Sequence, residues 1–257
     1  MILRSRRLDP PSAQVGIVAS MLEQISTRIF ADGADLDGIL KLAGDPRIAG
    51  FTTNPTLMHK AGLTDYRAFA HEVLAAIKDK PISFEVFADE FPEMRRQARE
   101  IATWGHNVYV KIPITNTRRE PATALIHELS TAGVKLNVTA ICTLPQVRDT
   151  AKALGGGAPS VVSVFAGRIA DTGRDPIPLM KEALQICRGG GATVELLWAS
   201  PRELLNIIQA AAIGCDIITV TPDLLKKLEL VGKDLGEFSL ETVQMFHRDA
   251  QAAGFKL

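Results

Sequence analysis

A single lysine interrupts an otherwise apolar stretch of the sequence, Val108–Thr115 (VYVKIPIT). The β-branched residues and the tyrosine before Pro113 predict a β-strand, and a lysine is seldom fully buried in one. Either this strand lies at the edge of a sheet and the amine reaches water, or the amine is needed inside. A buried, neutral amine can attack a ketone and form a Schiff base, whereas an arginine would stay charged. Lys111 is therefore the first candidate for covalent chemistry.

Further polar residues stand near the ends of the other strand-like runs. They supply two carboxylates, two amides, several hydroxyls and two guanidinium groups. Such a set suits covalent carbonyl chemistry on a phosphorylated substrate, because carboxylates transfer protons and guanidinium groups bind phosphate. The candidates besides the lysine are Asp32, Thr53, Asn54, Glu85, Asn137, Thr139, Ser163, Arg168, Ser200 and Arg202.

Each candidate also has an ordinary structural interpretation. Asp32 could cap the first helix, and Asn54 followed by Pro55 is a typical start of a turn. Glu85 could serve only as an ion-pair partner of the lysine, and the two arginines could be solvated surface residues or members of ion pairs. The functional interpretation is favoured by the set as a whole, because the predicted fold would bring all of these side chains to one rim.

Strand-like runs alternate with amphipathic stretches along the 257 residues, which predicts a single α/β domain folded as a (β/α)8 TIM barrel. A doubly wound open sheet is the competing architecture, but its glycine-rich phosphate turn is missing after the first run, at Asp32–Asp35 (DGAD). The predicted strands are Arg28–Asp32, Ile48–Thr53, Ile82–Phe87, Val108–Pro113, Val134–Thr139, Val161–Phe165, Thr193–Trp198 and Asp216–Val220. The amphipathic stretches include Tyr66–Lys78, Pro92–Trp104, Glu120–Ala132, Pro178–Arg188 and Pro201–Ile213.

Composition argues against several classes of protein. Basic and acidic residues both number 29, so no net charge draws the chain to nucleic acid or to an anionic membrane. No apolar run approaches the roughly 18 residues of a membrane span. The cysteines, Cys142, Cys187 and Cys215, are scattered, which is typical of reduced thiols in a cytoplasmic protein. The five histidines show no HxxxH or HExxH spacing, so we expect no metal.

The N-terminal segment has a basic start, then Asp9, Pro10 and Pro11, and then a short apolar patch. The acid and the two prolines between the basic and apolar parts argue against a secretory signal peptide. We expect residues 1–27 to form a mobile N-terminal extension, or the start of translation to lie at Met21. The barrel is then expected to span residues 28–257.

Six motifs, in order along about residues 28–255, resemble those of the transaldolase family and in particular its compact transaldolases and fructose-6-phosphate aldolases. The resemblance implies a transaldolase-type barrel that acts on sugar phosphates in the pentose phosphate pathway and needs no cofactor. It also leads us to expect a homo-oligomer without nucleic-acid or membrane partners. The motifs are GFTTNPTL (Gly50–Leu57), VKIPIT (Val110–Thr115), LNVTAI (Leu136–Ile141), SVFAGRI (Ser163–Ile169), WASPRE (Trp198–Glu203) and GCDIITVTP (Gly214–Pro222).

The same resemblance implies a role for each candidate residue. Lys111 falls on the family's Schiff-base lysine, and Asp32 falls on the general acid/base for cleavage of the C3–C4 bond. Glu85 and Thr139 fall on the pair that holds the catalytic water. The remaining candidates match residues around the substrate: Asn54, Asn137 and Ser163 for the dihydroxyacetone fragment, with Thr53 and Phe165 in the same motifs, and Arg168, Ser200 and Arg202 for the phosphate.

Two positions separate the transferases from the aldolases of this family. The aldolases commonly carry glutamine where Glu85 stands and tyrosine where Phe165 stands. A phenol near the enamine could protonate it and release free dihydroxyacetone, and Phe165 has no proton to give. We therefore expect a transaldolase. A fructose-6-phosphate aldolase and a non-catalytic sugar-phosphate-binding barrel are the alternatives.

Overall fold

The computed structural model describes residues 26–33, 35–191 and 193–256. The barrel belongs to a compact unit of residues 26–225, and residues 226–256 belong to a second unit. Most of the predicted N-terminal extension, residues 1–25, lies outside the described residues, so the extension and its boundary stay predictions. Among the described helices, none combines the length and the apolar character that a membrane crossing requires.

The barrel unit contains a closed sheet of parallel strands, which confirms the predicted (β/α)8 TIM barrel. Strands that follow each other in sequence are neighbours in the sheet, and pairing of the first strand with the last closes it. Parallel neighbours need a crossover connection, which the helices supply. The strands are β1 (Arg28–Asp32), β2 (Ile48–Thr52), β3 (Ile82–Glu85), β4 (Val108–Pro113), β5 (Leu136–Ile141), β6 (Ser160–Val164), β7 (Val194–Trp198) and β8 (Ile217–Val220).

Three strand boundaries differ from the prediction by two residues, and one of them is the end of β5, which lies at Ile141 rather than at Thr139. β3 ends at Glu85 rather than at Phe87, because the Phe87 amide donates to the Gln97 side chain instead of to a strand. β5 begins at Leu136 rather than at Val134, because the Val134 amide still donates to a helical carbonyl. Local hydrogen bonds thus overrode the strand propensity of these residues.

Helices cover the outside of the barrel, and side-chain caps mark several of their starts. The barrel unit contains α1 (Leu36–Ala43), α2 (Pro55–Lys60), α3 (Tyr66–Ala76), α4 (Phe91–Ala102), α5 (Thr123–Thr131), α6 (Leu144–Leu154), α7 (Ala166–Ala170), α8 (Ile177–Gly189) and α9 (Leu205–Ala212), and α10 (Pro222–Lys226) follows β8. Asn54 accepts the Leu57 amide at the start of α2, and Asp65 accepts the Ala68 amide at the start of α3.

The second unit is helical in its described part. A 3₁₀ turn spans Lys227–Leu230, and α11 spans Leu235–Ala253. Asp234 caps α11 by accepting the Glu237 amide, and Gly254, with a φ of 67°, ends it in the left-handed region.

Alternate residues of each strand point into the barrel, and they form an apolar level below a polar one. In the lower level the side chains of Phe30, Val161, Leu197 and Ile217 pack into one cluster, which Ala199, two residues beyond Leu197, also joins. Two residues further along β1, β6 and β8, the inward positions are polar: Asp32, Ser163 and Thr219. The polar level therefore lies toward the carboxyl ends of the strands, where barrel enzymes hold their active sites.

Gly50 on β2 makes room for the largest side chain of the apolar level. It pairs with Phe30 in the register of β1 and β2, and a Cβ atom on Gly50 would lie 2.6 Å from Phe30 Cζ. Only a residue without a Cβ atom allows the ring to remain in this place.

Replacing Gly50 by alanine should therefore lower the free energy of unfolding by about 1–3 kcal/mol, the usual cost of overpacking a core. The matched control is Gly44→Ala, since a Cβ there would meet no heavy atom within 4 Å. That change should stay within about 0.5 kcal/mol of the parent. Urea denaturation of the three proteins measures both values, and equal effects of the two substitutions would contradict the packing argument.

Candidate active site

Lys111 lies inside the barrel with 7% of its surface exposed. Its Nζ donates a hydrogen bond to the Thr53 carbonyl oxygen (3.0 Å) and lies 3.3 Å from Glu85 Oε2. The register explains the second contact, because Glu85 on β3 pairs directly with Lys111 on β4. Since β4 has a neighbouring strand on each side, the edge-strand alternative is wrong. Lys111 is an internal amine with an acidic partner.

The carboxylate of Asp32 ends β1 and is held by hydroxyl and amide donors. Its Oδ1 accepts a hydrogen bond from Thr52 Oγ1 (2.9 Å), and its Oδ2 lies 3.5 Å from Asn54 Nδ2. Because Thr52 uses its one proton on Asp32, the Thr219 hydroxyl, 2.5 Å from Thr52 Oγ1, donates to Thr52. A relay of two hydroxyls thus orients the Asp32 carboxylate.

Asp32 does not cap the first helix. The cap of α1 is Asp35, whose Oδ2 accepts the Gly38 amide at 2.9 Å. The capping interpretation of Asp32 is therefore wrong, and its carboxylate bonds to strand side chains instead.

Burial raises the pKa of Asp32 above its ordinary value and is the strongest influence on this carboxyl. The positive charge of Lys111 and the hydrogen bonds from Thr52 and Asn54 act in the opposite direction without cancelling the effect of burial. An acid whose pKa is shifted toward neutrality is suited to give and take protons.

Asn137 stands beside Lys111, because the two residues pair in the register of β4 and β5. Its Nδ2 donates to Ser83 Oγ (3.0 Å), and its Oδ1 accepts from Ser163 Oγ (2.6 Å). These bonds join three strands and fix which face of the amide carries the oxygen. The predicted pair Asn137 and Ser163 is thus in direct contact.

Thr139 and Thr53 contribute to the site in different ways. The Thr53 hydroxyl donates to the Ser83 carbonyl (2.8 Å), so Thr53 presents its carbonyl to Lys111 rather than its side chain. Thr139 Oγ1 is buried, and among the described residues it has no hydrogen-bond partner. A buried hydroxyl without a partner costs about 1–3 kcal/mol, so this atom favours a bound ligand or water.

Two arginines lie at the carboxyl ends of β6 and β7, and both are exposed. The Arg168 guanidinium lies 5.4 Å from the centre of the Phe165 ring. Arg202 Nε donates to Asp171 Oδ1 (2.9 Å), and its second nitrogen donates to Asp171 Oδ2. This pairing lowers the pKa of Asp171. Arg202 is therefore already engaged by an acid that sequence analysis did not identify.

Close backbone packing brings together the segments that carry Arg168 and Arg202. A Cβ atom on Gly167 would lie 1.6 Å from the Ser200 carbonyl oxygen, so only glycine fits. Ser200 itself has a φ of 61°, a left-handed conformation that is uncommon for a residue other than glycine. Strained residues of this kind concentrate at functional sites, and this one holds the chain between β7 and Arg202.

Sequence analysis missed several residues that complete the site. Ser83 and Thr219 lie at inward positions of their strands, and the two-residue period of β3 would have indicated Ser83, since it precedes Glu85 by two. Tyr66 and Asp171 lie on or beside helices, where the strand pattern gives no signal. The Tyr66 hydroxyl forms hydrogen bonds with the backbone of Glu85.

Comparison with known proteins agrees with this geometry. The family description Transaldolase/Fructose-6-phosphate aldolase matches residues 29–257. A probable transaldolase of Dehalococcoides mccartyi is 37% identical over 201 residues, which are 78% of this chain and 89% of that protein. Probable transaldolases of Methanococcus maripaludis (36% over 201 residues) and Roseiflexus sp. (38% over 192 residues) are similar. The chain therefore covers most of the length of these relatives.

Solved structures support the fold alone. An aldolase/citrate lyase family (HpcH/Hpal) protein of Burkholderia cenocepacia has a TM-score of 0.54 at 14% identity, over 88% of this chain and 99% of that one. The structure of 2,3-dimethylmalate lyase has a TM-score of 0.52 at 13% identity, over 95% and 88%.

The closed barrel, its internal lysine and the sequence matches together define an enzyme of the aldolase and transferase class. Within that class, the chain belongs to the transaldolase/fructose-6-phosphate aldolase family.

Replacing Asp32 by asparagine should make the protein more stable at pH 7. Because the folded-state pKa of Asp32 is raised, the folded chain binds this proton more tightly than the unfolded chain, and the associated stability is lost as pH rises above about 4. Melting temperatures of parent and Asp32→Asn should therefore diverge from pH 4 to pH 8. Asp37→Asn, at an exposed carboxylate in the first turn of α1, is the matched control and should give no such stabilisation. A variant that is less stable than the parent at pH 7 would contradict this account.

Proposed function

We propose that the protein is a transaldolase, which moves a dihydroxyacetone unit between sugar phosphates through a Schiff base on Lys111. The donor would be sedoheptulose 7-phosphate or fructose 6-phosphate, and the acceptor an aldose phosphate such as erythrose 4-phosphate. The observation that carries this proposal is the buried amine of Lys111 in a closed barrel, 3.3 Å from the Glu85 carboxylate and on the strand next to Asn137, its partner in the register. Membership of the family supports the same chemistry. The expected setting is the pentose phosphate pathway in the cytoplasm.

In the first step, the neutral amine of Lys111 attacks the C2 carbonyl carbon of the ketose. Water leaves the resulting carbinolamine, and a protonated Schiff base forms. Glu85 Oε2, 3.3 Å from Nζ, can accept the proton that the amine must lose before it attacks. Thr139 Oγ1, whose hydroxyl is buried, is suited to hold with Glu85 the water that leaves and later returns.

In the second step, Asp32 takes the proton of the C4 hydroxyl. The C3–C4 bond breaks, its electron pair enters the iminium group as an enamine, and the aldose leaves. The raised pKa of Asp32 supports this role, since the same group must return the proton to the acceptor aldehyde when the new bond forms. Thr52 and Asn54 would hold the carboxylate in the direction of the hydroxyl.

Asn137 and Ser163 would bind hydroxyl groups of the three-carbon fragment, since their contact fixes the orientation of the amide next to Lys111. Arg168, Ser200 and Arg202 would bind the phosphate at the rim, where guanidinium groups offer paired donors. The bond between Arg202 and Asp171 would then be exchanged for one with phosphate.

A fructose-6-phosphate aldolase is the second candidate, because the family description covers both activities. The residue that argues against it is Phe165, which is half-buried at the end of β6 beside Arg168 and offers no proton to the enamine.

The central experiment is borohydride reduction in the presence of fructose 6-phosphate, followed by peptide mapping. The adduct is expected on the peptide that contains Lys111, and on no other lysine. Lys111→Arg should fold and neither trap substrate nor transfer it, because a guanidinium group does not act as the amine nucleophile. Asp32→Asn is the informative contrast, since it should still be trapped while transfer falls by about 10²–10⁴-fold. Label on another lysine would overturn the assignment.

The partition between transfer and release separates the two candidate activities. Cleavage of fructose 6-phosphate should be fast with erythrose 4-phosphate present and slow without it, because Phe165 cannot protonate the enamine. Phe165→Tyr should increase release of dihydroxyacetone relative to transfer, with Phe165→Leu as the control for packing. Acceptor-independent cleavage as fast as transfer in the parent would make the protein an aldolase.

A further inference from the structure

A tyrosine on a helix outside the barrel forms hydrogen bonds with both the amide and the carbonyl group of Glu85. The Tyr66 hydroxyl, on α3, accepts a hydrogen bond from the Glu85 amide (2.7 Å) and donates one to the Glu85 carbonyl oxygen (3.2 Å). Glu85 is the last residue of β3 and the acid partner of Lys111. One side chain therefore satisfies both backbone groups of the residue that meets the amine.

The hydrogen-bond pattern between β2 and β3 shows what this tyrosine replaces. The Thr53 amide donates to the Ser83 carbonyl (3.2 Å), and in a regular parallel ladder the next bond would run from the Glu85 amide to the Thr53 carbonyl. Instead, the Thr53 carbonyl accepts the amine of Lys111 (3.0 Å), and the Glu85 amide turns to Tyr66. The chain cannot continue the ladder, because the next residue, Asn54, already caps α2.

The ring of Tyr66 is fixed by other aromatic side chains, so the position of its hydroxyl is defined. The ring centre lies 4.5 Å from that of Phe87, 5.6 Å from that of Trp104 and 6.0 Å from that of Phe84, all in edge-on arrangements. Burial raises the pKa of Tyr66, so the phenol keeps its proton and can donate and accept at the same time.

We infer that Tyr66 is a positioning residue for the amine centre. Its hydroxyl ends the β3 ladder in place of Thr53, which leaves the Thr53 carbonyl to hold the amine of Lys111 and keeps the Glu85 carboxylate directed at that amine. The catalytic part of this inference rests on the proposed Schiff-base role of Lys111. The structural part, the exchange of one ladder bond for two bonds to a side chain, does not.

The test is Tyr66→Phe, which keeps the ring and removes only the hydroxyl. We expect kcat for transfer from fructose 6-phosphate to fall by about 10- to 100-fold, the usual consequence of a small misplacement of reacting groups, while KM stays within about twofold. The matched control is Tyr109→Phe, since Tyr109 is the only other tyrosine of the chain and packs against the apolar level. That variant should retain the parental kcat.

Two further variants separate positioning from general stability. Trp104→Phe keeps the Tyr66 hydroxyl and an aromatic ring beside it but removes part of the packing, so it should lower the melting temperature while kcat falls much less than in Tyr66→Phe. When Tyr66→Phe is added to Glu85→Gln, kcat should fall by less than about a further twofold, because both changes act through Glu85. A parental kcat in Tyr66→Phe, a full and independent loss in the double variant, or an equal loss in Trp104→Phe would each overturn the inference.

Amide hydrogen exchange gives a measurement that needs no activity. The Glu85 amide should exchange faster in Tyr66→Phe than in the parent, and exchange at the same rate in Tyr109→Phe. If the parent protein showed no transfer activity, the proposed function would be wrong. The exchange rate of the Glu85 amide would then still test the structural part of the inference. Unchanged exchange in Tyr66→Phe would overturn it.

Discussion

The register of three neighbouring strands controls the chemistry of the barrel interior. Pairing of β4 with β3 and β5 places Glu85, Lys111 and Asn137 side by side on the inner face. A slip of one residue would turn the lysine outward, because strand side chains alternate between faces. The outward residues Val110 and Ile112 are fully buried against the outer layer, so their burial opposes any slip. The apolar packing outside the barrel thus holds the amine inside it.

The polar level carries an energetic cost that the structure offsets only in part. Asn137 has partners on both sides, and the amine of Lys111 has a carboxylate and a carbonyl. Removing one member of a buried charge pair commonly costs about 3–5 kcal/mol, so these partners depend on one another. Thr139 keeps an unpaired hydroxyl, and the carboxyl of Asp32 is destabilised by burial. Among the described residues, Ser130 Oγ and Trp198 Nε1 are also buried without a partner, and of the three such atoms only Thr139 Oγ1 belongs to a residue of the proposed reaction.

Most of the inward site residues were predictable from the two-residue period of the strands, although Ser83 and Thr219 were missed. The alternation of strand-like runs with amphipathic stretches indicated the barrel. The lysine within the apolar run VYVKIPIT indicated the candidate active site. Tyr66 was not predictable, because its contact with Glu85 joins a helix to a strand 19 positions away and depends on tertiary packing. Asp171 was not predicted for another reason. An acidic residue after a short helix is typical of an exposed surface position, and it meets Arg202 only because Gly167 packs closely against Ser200. The end of β3 and the start of β5 were misjudged because the amides of Phe87 and Val134 donate to local acceptors outside the sheet.

The proposed binding of phosphate at the rim would be an exchange rather than an addition, because Arg202 is already paired with Asp171. Because the pKa of Asp171 is lowered, this competing carboxylate is ionised throughout the physiological range of pH. A sugar acid carries a single negative charge, the same as the Asp171 carboxylate that it would displace, so the exchange would contribute little binding energy. A phosphate monoester carries a charge of about −1.5 to −2 and can engage the Arg168 guanidinium as well. The rim would therefore select ligands by their charge, and the barrel interior would select them by the positions of their hydroxyl groups.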